Sequence, residues 1–222
     1  MFHTIWLMTL ACCARRSLFT NYCPRLDQVD VHTAGKDADG FPQFVLLKLE
    51  RWKGNADGKC WQKLILHRNY ADVRYCPVVA LCLWLKTLHS LDVTDNGPLF
   101  PRLSVGHDDF SRAAKGAPLE HVTPDCYSLW WKRFCEYVGG DLAACATTTH
   151  SARRSVVKWG ARSGGEWMEM QVAGRWKTST SFMIYWQDGE ALKKRARPGE
   201  RDVLYGIWVW VPIQHSQGFS SD

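Results

Sequence analysis

The hydrophobic pattern changes its period along the chain, and this change limits the folds that the chain can adopt. Phe41–Trp52 alternates apolar and polar residues in the manner of a strand that buries one face. Lys53–Lys59 is rich in Gly, Asn and Asp, which predicts a hairpin turn into a returning strand at Cys60–Leu66. A shorter extended segment at Val29–Val31 precedes them. The pattern therefore predicts a small antiparallel sheet of two or three strands.

Outside this region the apolar residues recur mostly with the period of a helix. Pro77 and Pro124 occupy first-turn positions that favour proline, and Thr123 is a suitable N-cap for the second of these helices. The fold class expected is mostly α (α+β), a helical bundle with a small antiparallel β-sheet. Helices are predicted over residues 1–23, Val78–Leu91, Pro124–Val138, Ser151–Arg162, Glu166–Ala173 and Ser179–Gln187.

Length and composition favour one globular domain. The chain has 222 residues, of which 46% are hydrophobic and 23% charged, close to the values of ordinary globular proteins. The longest apolar run, Met1–Ala14, is shorter than the roughly 20 residues that span a bilayer, so no membrane association is expected. The nine cysteines include no C-x-x-C pair, which argues against a zinc finger and favours reduced thiols in an intracellular protein. We therefore expect no metal.

Four residues with defined spacing lie in the C-terminal half. His150 and Arg153 form an H-x-x-R sequence at the start of a predicted helix, and Trp176, within Gly-Arg-Trp, follows 23 residues after Arg153. Tyr185 lies 9 residues further on, in the next predicted helix. An isolated H-x-x-R has little meaning, but four residues at three matched spacings form a specific pattern.

This pattern resembles the tyrosine recombinase (phage-integrase) superfamily. The resemblance covers about residues 5–190 and implies two further site residues upstream. Arg25, in the sequence Arg-Leu-Asp-Gln-Val, matches the first arginine of the family, with Gln28 in place of the usual acid. Lys53, 28 residues downstream in the predicted hairpin turn, matches the family's hairpin lysine, although other lysines lie within reach of the same hairpin.

The resemblance implies a site-specific DNA recombinase or integrase that acts in the recombination and integration of a mobile element. It would cleave and rejoin a DNA phosphodiester reversibly, without metal, ATP or another cofactor. Tyr185 would be the nucleophile and would keep the bond energy in a 3′-phosphotyrosyl intermediate. The planar, permanently charged forks of Arg25 and Arg153 would stabilise the developing negative charge on the phosphate. His150 would accept the tyrosine proton or hydrogen-bond an oxygen, Trp176 would add an indole N–H donor, and Lys53 would protonate the departing 5′ oxygen. Taken singly, each of these side chains is more typical of a core or surface position.

The implied partner is double-stranded DNA, with assembly into a homo-tetramer on DNA. The formal net charge of +6 agrees with a polyanionic partner, although many enzymes carry as much. Residues 1–190 are assigned to the catalytic domain, without the N-terminal domain that completes the family's DNA clamp, and 191–222 to a basic and apolar tail. The expected location is intracellular and DNA-associated, nuclear in a eukaryote. Further DNA-binding candidates are Arg154, Lys177, Lys193, Lys194 and Arg195.

The sequence leaves two alternatives open. A type IB topoisomerase-like enzyme would nick and reseal DNA with the same chemistry. A DNA-binding protein derived from a recombinase would have lost catalysis altogether. Both enzymatic functions predict a covalent protein–DNA adduct, and the binding protein does not.

Overall fold

The computed structural model describes residues 1–31, 35–52, 55–93, 96–102, 104–105, 110–111, 120–138, 151–162, 164–174, 176 and 178–195. Within these ranges, helices are combined with short antiparallel strands, so the mixed α+β class is confirmed. The strands are β1 (Val29–Asp30), β2 (Phe44–Leu49), β3 (Gln62–His67), β4 (Ser104–Val105) and β5 (Phe110–Ser111). The helices are α1 (Phe2–Ala11), α2 (Ser17–Thr20), α3 (Pro77–Ser90), α4 (Pro124–Val138), α5 (Ser151–Arg162), α6 (Trp167–Ala173) and α7 (Ser179–Arg195).

The predicted hairpin is present as β2 and β3, with Leu47 opposite Leu64 and Lys48 opposite Lys63. β1 pairs antiparallel with β2 and completes a three-stranded sheet in the order β1-β2-β3. Alternate side chains of β2 and β3 are buried, as the period-2 pattern requires. Asn55 closes the turn, since its side-chain amide donates to the carbonyls of Glu50 and Cys60, both at 2.7 Å. The second small sheet, β4 with β5, was not predicted.

An ion-pair cluster fastens the loop before β2 to the end of β3. The guanidinium of Arg68 donates to Asp37 at 2.9 Å and also to Asp39, and its carbon lies 5.0 Å from the ring centroid of Tyr70. Arg68 is buried, and these two carboxylates balance its charge. The hydrogen bond from Tyr70 lowers the pKa of Asp37, and that from Arg68 lowers the pKa of Asp39. The cluster fixes the edge of the sheet that precedes α3.

α3 begins as predicted, at a proline. The Sγ atom of Cys76 caps the helix by accepting from the backbone N–H of Val79 at 3.4 Å. The buried indole of Trp84 donates to the carbonyl of Leu99 at 2.7 Å, which ties the following loop to the helix. Likewise, the Thr123 hydroxyl accepts from the backbone of Cys126 at the start of α4. α3, α4, α1 and the sheet enclose the larger of two hydrophobic clusters.

α1 joins this cluster to a second one formed by α5, α6 and α7. Ile5 and Met8 are fully buried in the first cluster, whereas Leu10 and Cys13 pack into the second. The single helix predicted over residues 1–23 is wrong in one respect, because Cys13 has a positive φ of 45° and separates α1 from α2. That left-handed residue turns the chain at the junction of the two clusters.

α5 and α7 pack closely against each other. Gly189 lies at the crossing, where a Cβ atom would come within 2.6 Å of the Lys158 carbonyl oxygen and 2.7 Å of Ala161 Cβ. α7 continues to Arg195, so the end predicted at Gln187 is wrong. The glycine does not end the helix; it permits the close approach of its neighbour. Among the described residues, no helix is both long and apolar enough to span a bilayer.

Candidate active site

Arg153 occupies a buried position in an otherwise apolar stripe of α5. Val156, Val157, Gly160 and Ala161 follow it at helical spacing, and all four are buried. Arg153 is 8% exposed. Burying a guanidinium is costly unless its charge and its N–H groups find partners. The contacts of Arg153 therefore identify the residues that form the site.

Two of those contacts come from the Gly-Arg-Trp segment after α6. The Nη2 atom of Arg153 donates to the carbonyl oxygen of Gly174, and its guanidinium carbon lies 4.1 Å from the ring centroid of Trp176. A planar guanidinium over an indole face is a favourable cation–π arrangement. The stacking and the hydrogen bond together hold the fork of Arg153 in one orientation.

Trp176 is held in turn by its own backbone and by α7. Its backbone N–H donates to the Gln171 carbonyl at 3.1 Å, and its backbone carbonyl accepts from the Gln171 side-chain amide at 3.4 Å. Its ring packs edge-on against Phe182, with centroids 5.9 Å apart. Within the described part of the chain, its buried indole N–H has no hydrogen-bond acceptor.

Gly174 makes this geometry possible. A Cβ atom at this position would lie 2.7 Å from both Cδ1 and Nε1 of Trp176, and 3.1 Å from Sγ of Cys13. No side chain larger than hydrogen fits without displacing the indole. The glycine was present in the sequence motif, but its role follows from the packing alone.

Tyr185 lies beside the same indole. Phe182, Trp186 and Gly189 lie on the side of α7 that is buried against α5, and Tyr185 lies at the border of this buried stripe. The ring of Tyr185 is 5.5 Å from that of Trp176, centroid to centroid, and the guanidinium carbon of Arg154 lies 5.1 Å from the Tyr185 ring centroid. Two guanidinium groups therefore flank a tryptophan–tyrosine pair, Arg153 on the buried side and Arg154 on the exposed side.

Arg25 lies at the sheet, in a different set of contacts. Its guanidinium donates to both carboxylate oxygens of Asp27, at 3.0 and 3.1 Å, and lies 3.7 Å from Glu50. The hydrogen bond with Asp27 raises the pKa of Arg25. Gln28 accepts from the Arg25 backbone N–H at 2.9 Å and so caps the short 3-10 helix Leu26–Gln28. Sequence reasoning did not identify Asp27 and Glu50 as partners of this arginine.

The remaining candidates are not tested by side-chain geometry. His150, Lys53 and Lys177 lie outside the described residues. The last turn of α7 contains Lys193, Lys194 and Arg195, whose side chains are likewise outside the described part. The described residues include no group of three or more His, Cys, Asp and Glu side chains that could hold a metal ion. Comparison with protein-family models, curated proteins and solved structures gave no match.

Proposed function

We propose that this chain is the catalytic part of a tyrosine recombinase, which cleaves and rejoins double-stranded DNA. The observation that supports it best is the contact of Arg153, Trp176 and Tyr185, which come from three separate segments of the chain. The sequence motif selected these residues by spacing alone. Residues of one site must lie close together, and these three pack into one cluster around a buried arginine. Three unrelated core residues would not need to do so.

In this proposal the Tyr185 hydroxyl oxygen attacks the scissile phosphorus. The O–P bond to tyrosine forms, the P–O5′ bond breaks, and the 5′ hydroxyl leaves with a proton. Attack of a 5′ hydroxyl on the phosphotyrosine reverses these steps and reseals DNA. Arg153 would stabilise the charge on the non-bridging oxygens, with Trp176 holding its guanidinium in place. His150 and Lys53 are proposed for the two proton transfers.

The proposed DNA surface includes Arg154, which lies on the exposed side of this cluster. In the sequence it also includes Lys177, Lys193, Lys194 and Arg195. Each phosphate contact by such a residue releases counterions, so binding should weaken steeply with salt. A homo-tetramer on DNA is part of the same proposal, because exchange of strands needs two cleaved duplexes.

A suicide substrate tests the proposal directly. This DNA has a nick beside the cleavage site, so that the short 5′ product dissociates and the adduct accumulates. We expect an SDS-resistant adduct with the wild-type protein and none with Tyr185→Phe. Tyr75→Phe is the matched control, since Tyr75 is an exposed residue that follows the sheet and should leave the adduct unchanged. Absence of a wild-type adduct on all DNA tested, including the ends of the mobile element proposed as its substrate, would refute the enzymatic function.

A second variant tests the positioning of the indole. In Gly174→Ala the new methyl group would displace Trp176, and through it the Arg153 fork. We expect a loss of adduct of about 10²-fold or more, the usual effect of removing one oxyanion stabiliser. Gly35→Ala is the matched control, because the described structure leaves open space around Gly35. Equal adduct yields from the two variants would contradict the role given to the indole.

One observation favours a non-catalytic DNA-binding protein as the second candidate. Arg25, the proposed second phosphate clamp, already pairs with Asp27 and Glu50. A phosphate would have to compete with both carboxylates before Arg25 could bind it. The variant Asp27→Asn distinguishes the two candidates. Removing one of the two carboxylates that compete for Arg25 should increase adduct formation in an enzyme, whereas a binding protein would still form no adduct.

A further inference from the structure

A second surface carries aromatic and basic side chains, and it lies on the sheet rather than on α5 and α7. Trp61 directly precedes β3 and is 59% exposed, an unusual position for so large an apolar ring. Lys48 and Lys63 lie beside it, with Nζ atoms 5.9 and 5.6 Å from the centroid of its ring. The three side chains form one patch, which we call the Trp61 patch.

The register of the sheet brings the two lysines together. Lys48 and Lys63 are direct cross-strand partners, and both side chains are exposed. Like charges in this position repel each other and destabilise the pair. Glu50 offsets one of them, since its carboxylate lies 3.8 Å from Lys48, but that carboxylate also contacts Arg25. Among the described residues, no carboxylate lies within ion-pairing distance of Lys63. An anion placed between the lysines would relieve the repulsion.

A ligand that fits the Trp61 patch must offer a flat π face and a negative charge close to each other. A nucleotide of a single strand does so, because its unstacked base can lie on the indole while its phosphate faces an ammonium group. A base within an intact duplex is stacked on both sides and presents only its edge to a protein. An acidic peptide would supply the charge without the flat ring. We propose that the Trp61 patch binds single-stranded nucleic acid by stacking one base on Trp61.

This proposal does not depend on the cleavage chemistry. Tyr185 and Arg153 belong to the cluster of α5 and α7, whereas the Trp61 patch belongs to β2 and β3. Binding of single-stranded DNA would be useful at a site where the duplex is opened, but this binding can be measured without any cleavage. Failure of the adduct assay and failure of the binding assay are therefore separate results.

The experiment measures the anisotropy of a fluorescently labelled oligothymidylate, with a labelled duplex of equal length in parallel. We expect Trp61→Ala to weaken single-strand binding by about 5- to 150-fold, the effect of losing one stacked base, and duplex binding by much less. Trp61→Phe should restore part of the loss. Trp167→Ala is the matched control, since Trp167 is also exposed but lies on α6.

The lysines are tested by salt dependence. For single strands, log K falls with log salt by about 0.7 for each phosphate contact. We expect Lys63→Gln to reduce the slope by about that amount, and Lys86→Gln, an exposed lysine on α3, to leave it unchanged. Unchanged single-strand affinity in Trp61→Ala would overturn the proposal. So would an equal loss for single strand and duplex, because it would indicate backbone contact without stacking.

Discussion

Gly189 gives the sharpest test of how α5 and α7 pack. A methyl group there would lie 2.7 Å from Ala161 Cβ and 2.6 Å from the Lys158 carbonyl oxygen, both on α5. Carbon atoms prefer separations of about 3.5–4.0 Å, so the two helices would have to move apart by about 1 Å. Overpacking of this kind costs about 1–3 kcal/mol. Alanine offsets about 1 kcal/mol of that cost, because it is the better helix former.

The net expectation for Gly189→Ala is a loss of up to about 2 kcal/mol in the free energy of unfolding. Gly160→Ala is the matched control, since Gly160 is also a buried glycine inside a helix. The nearest atom to its new methyl group would be Cε of Met170, at 3.0 Å, the far end of a flexible side chain. Met170 can rotate away, so the helix-forming gain of up to about 1 kcal/mol should survive.

Urea denaturation followed by far-UV circular dichroism measures both variants against the wild type. The two alanine variants should differ by about 1–3 kcal/mol, with Gly160→Ala the more stable. If Gly189→Ala were as stable as Gly160→Ala, the close crossing of the helices would be refuted. An enzyme with the proposed site should also lose adduct formation in Gly189→Ala, because α5 and α7 hold Arg153 and Tyr185.

Three further results are expected. Burial raises the pKa of the Cys23 thiol to about 12, so iodoacetamide at pH 8 should modify exposed Cys60 and spare Cys23. Peptide mass spectrometry measures the labelling, and equal labelling of the two cysteines would contradict the burial of Cys23. Arg68 lowers the pKa of Asp39, so this carboxylate stabilises the fold above its unfolded pKa of about 3.9 and the contribution is lost as pH falls below it. Asp39→Asn should accordingly lose less stability than wild type between pH 6 and pH 3 in urea titrations, and an equal loss would rule out that contribution. Phe182→Ala should cost about 3–5 kcal/mol in the same assay, and a cost below 1 kcal/mol would contradict a fully buried ring.

Local signals in the sequence were sufficient for most of the elements. The helix starts at Pro77 and Pro124 follow from proline and capping chemistry, and the hairpin follows from period-2 alternation around a turn. Errors arose where tertiary contacts decided the outcome. The helix end predicted at Gln187 is wrong, because α7 continues through Gly189, where the neighbouring helix leaves no room for a side chain. The break at Cys13 has no local signal, since cysteine rarely adopts a positive φ.

The candidate site shows the same division. Spacing selected Arg153, Trp176 and Tyr185, which the fold brings into contact. Spacing could not reveal that Arg25 pairs with Asp27 and Glu50, because the geometry of neighbouring side chains and strands sets those ion pairs. Nor did the pattern distinguish the exposed Trp61 from the tryptophans that pack inside.

The position of α1 in both hydrophobic clusters has a consequence for how the chain folds. α5, α6 and α7 are close in sequence, yet Leu10 and Cys13 complete their core from the opposite end of the described chain. Bringing residues so far apart in the sequence into contact is slow and entropically costly, so these contacts form late. The cluster holding Arg153 and Tyr185 should therefore acquire its native packing only after α1 has docked, and a fragment of residues 151–195 alone should remain loosely packed.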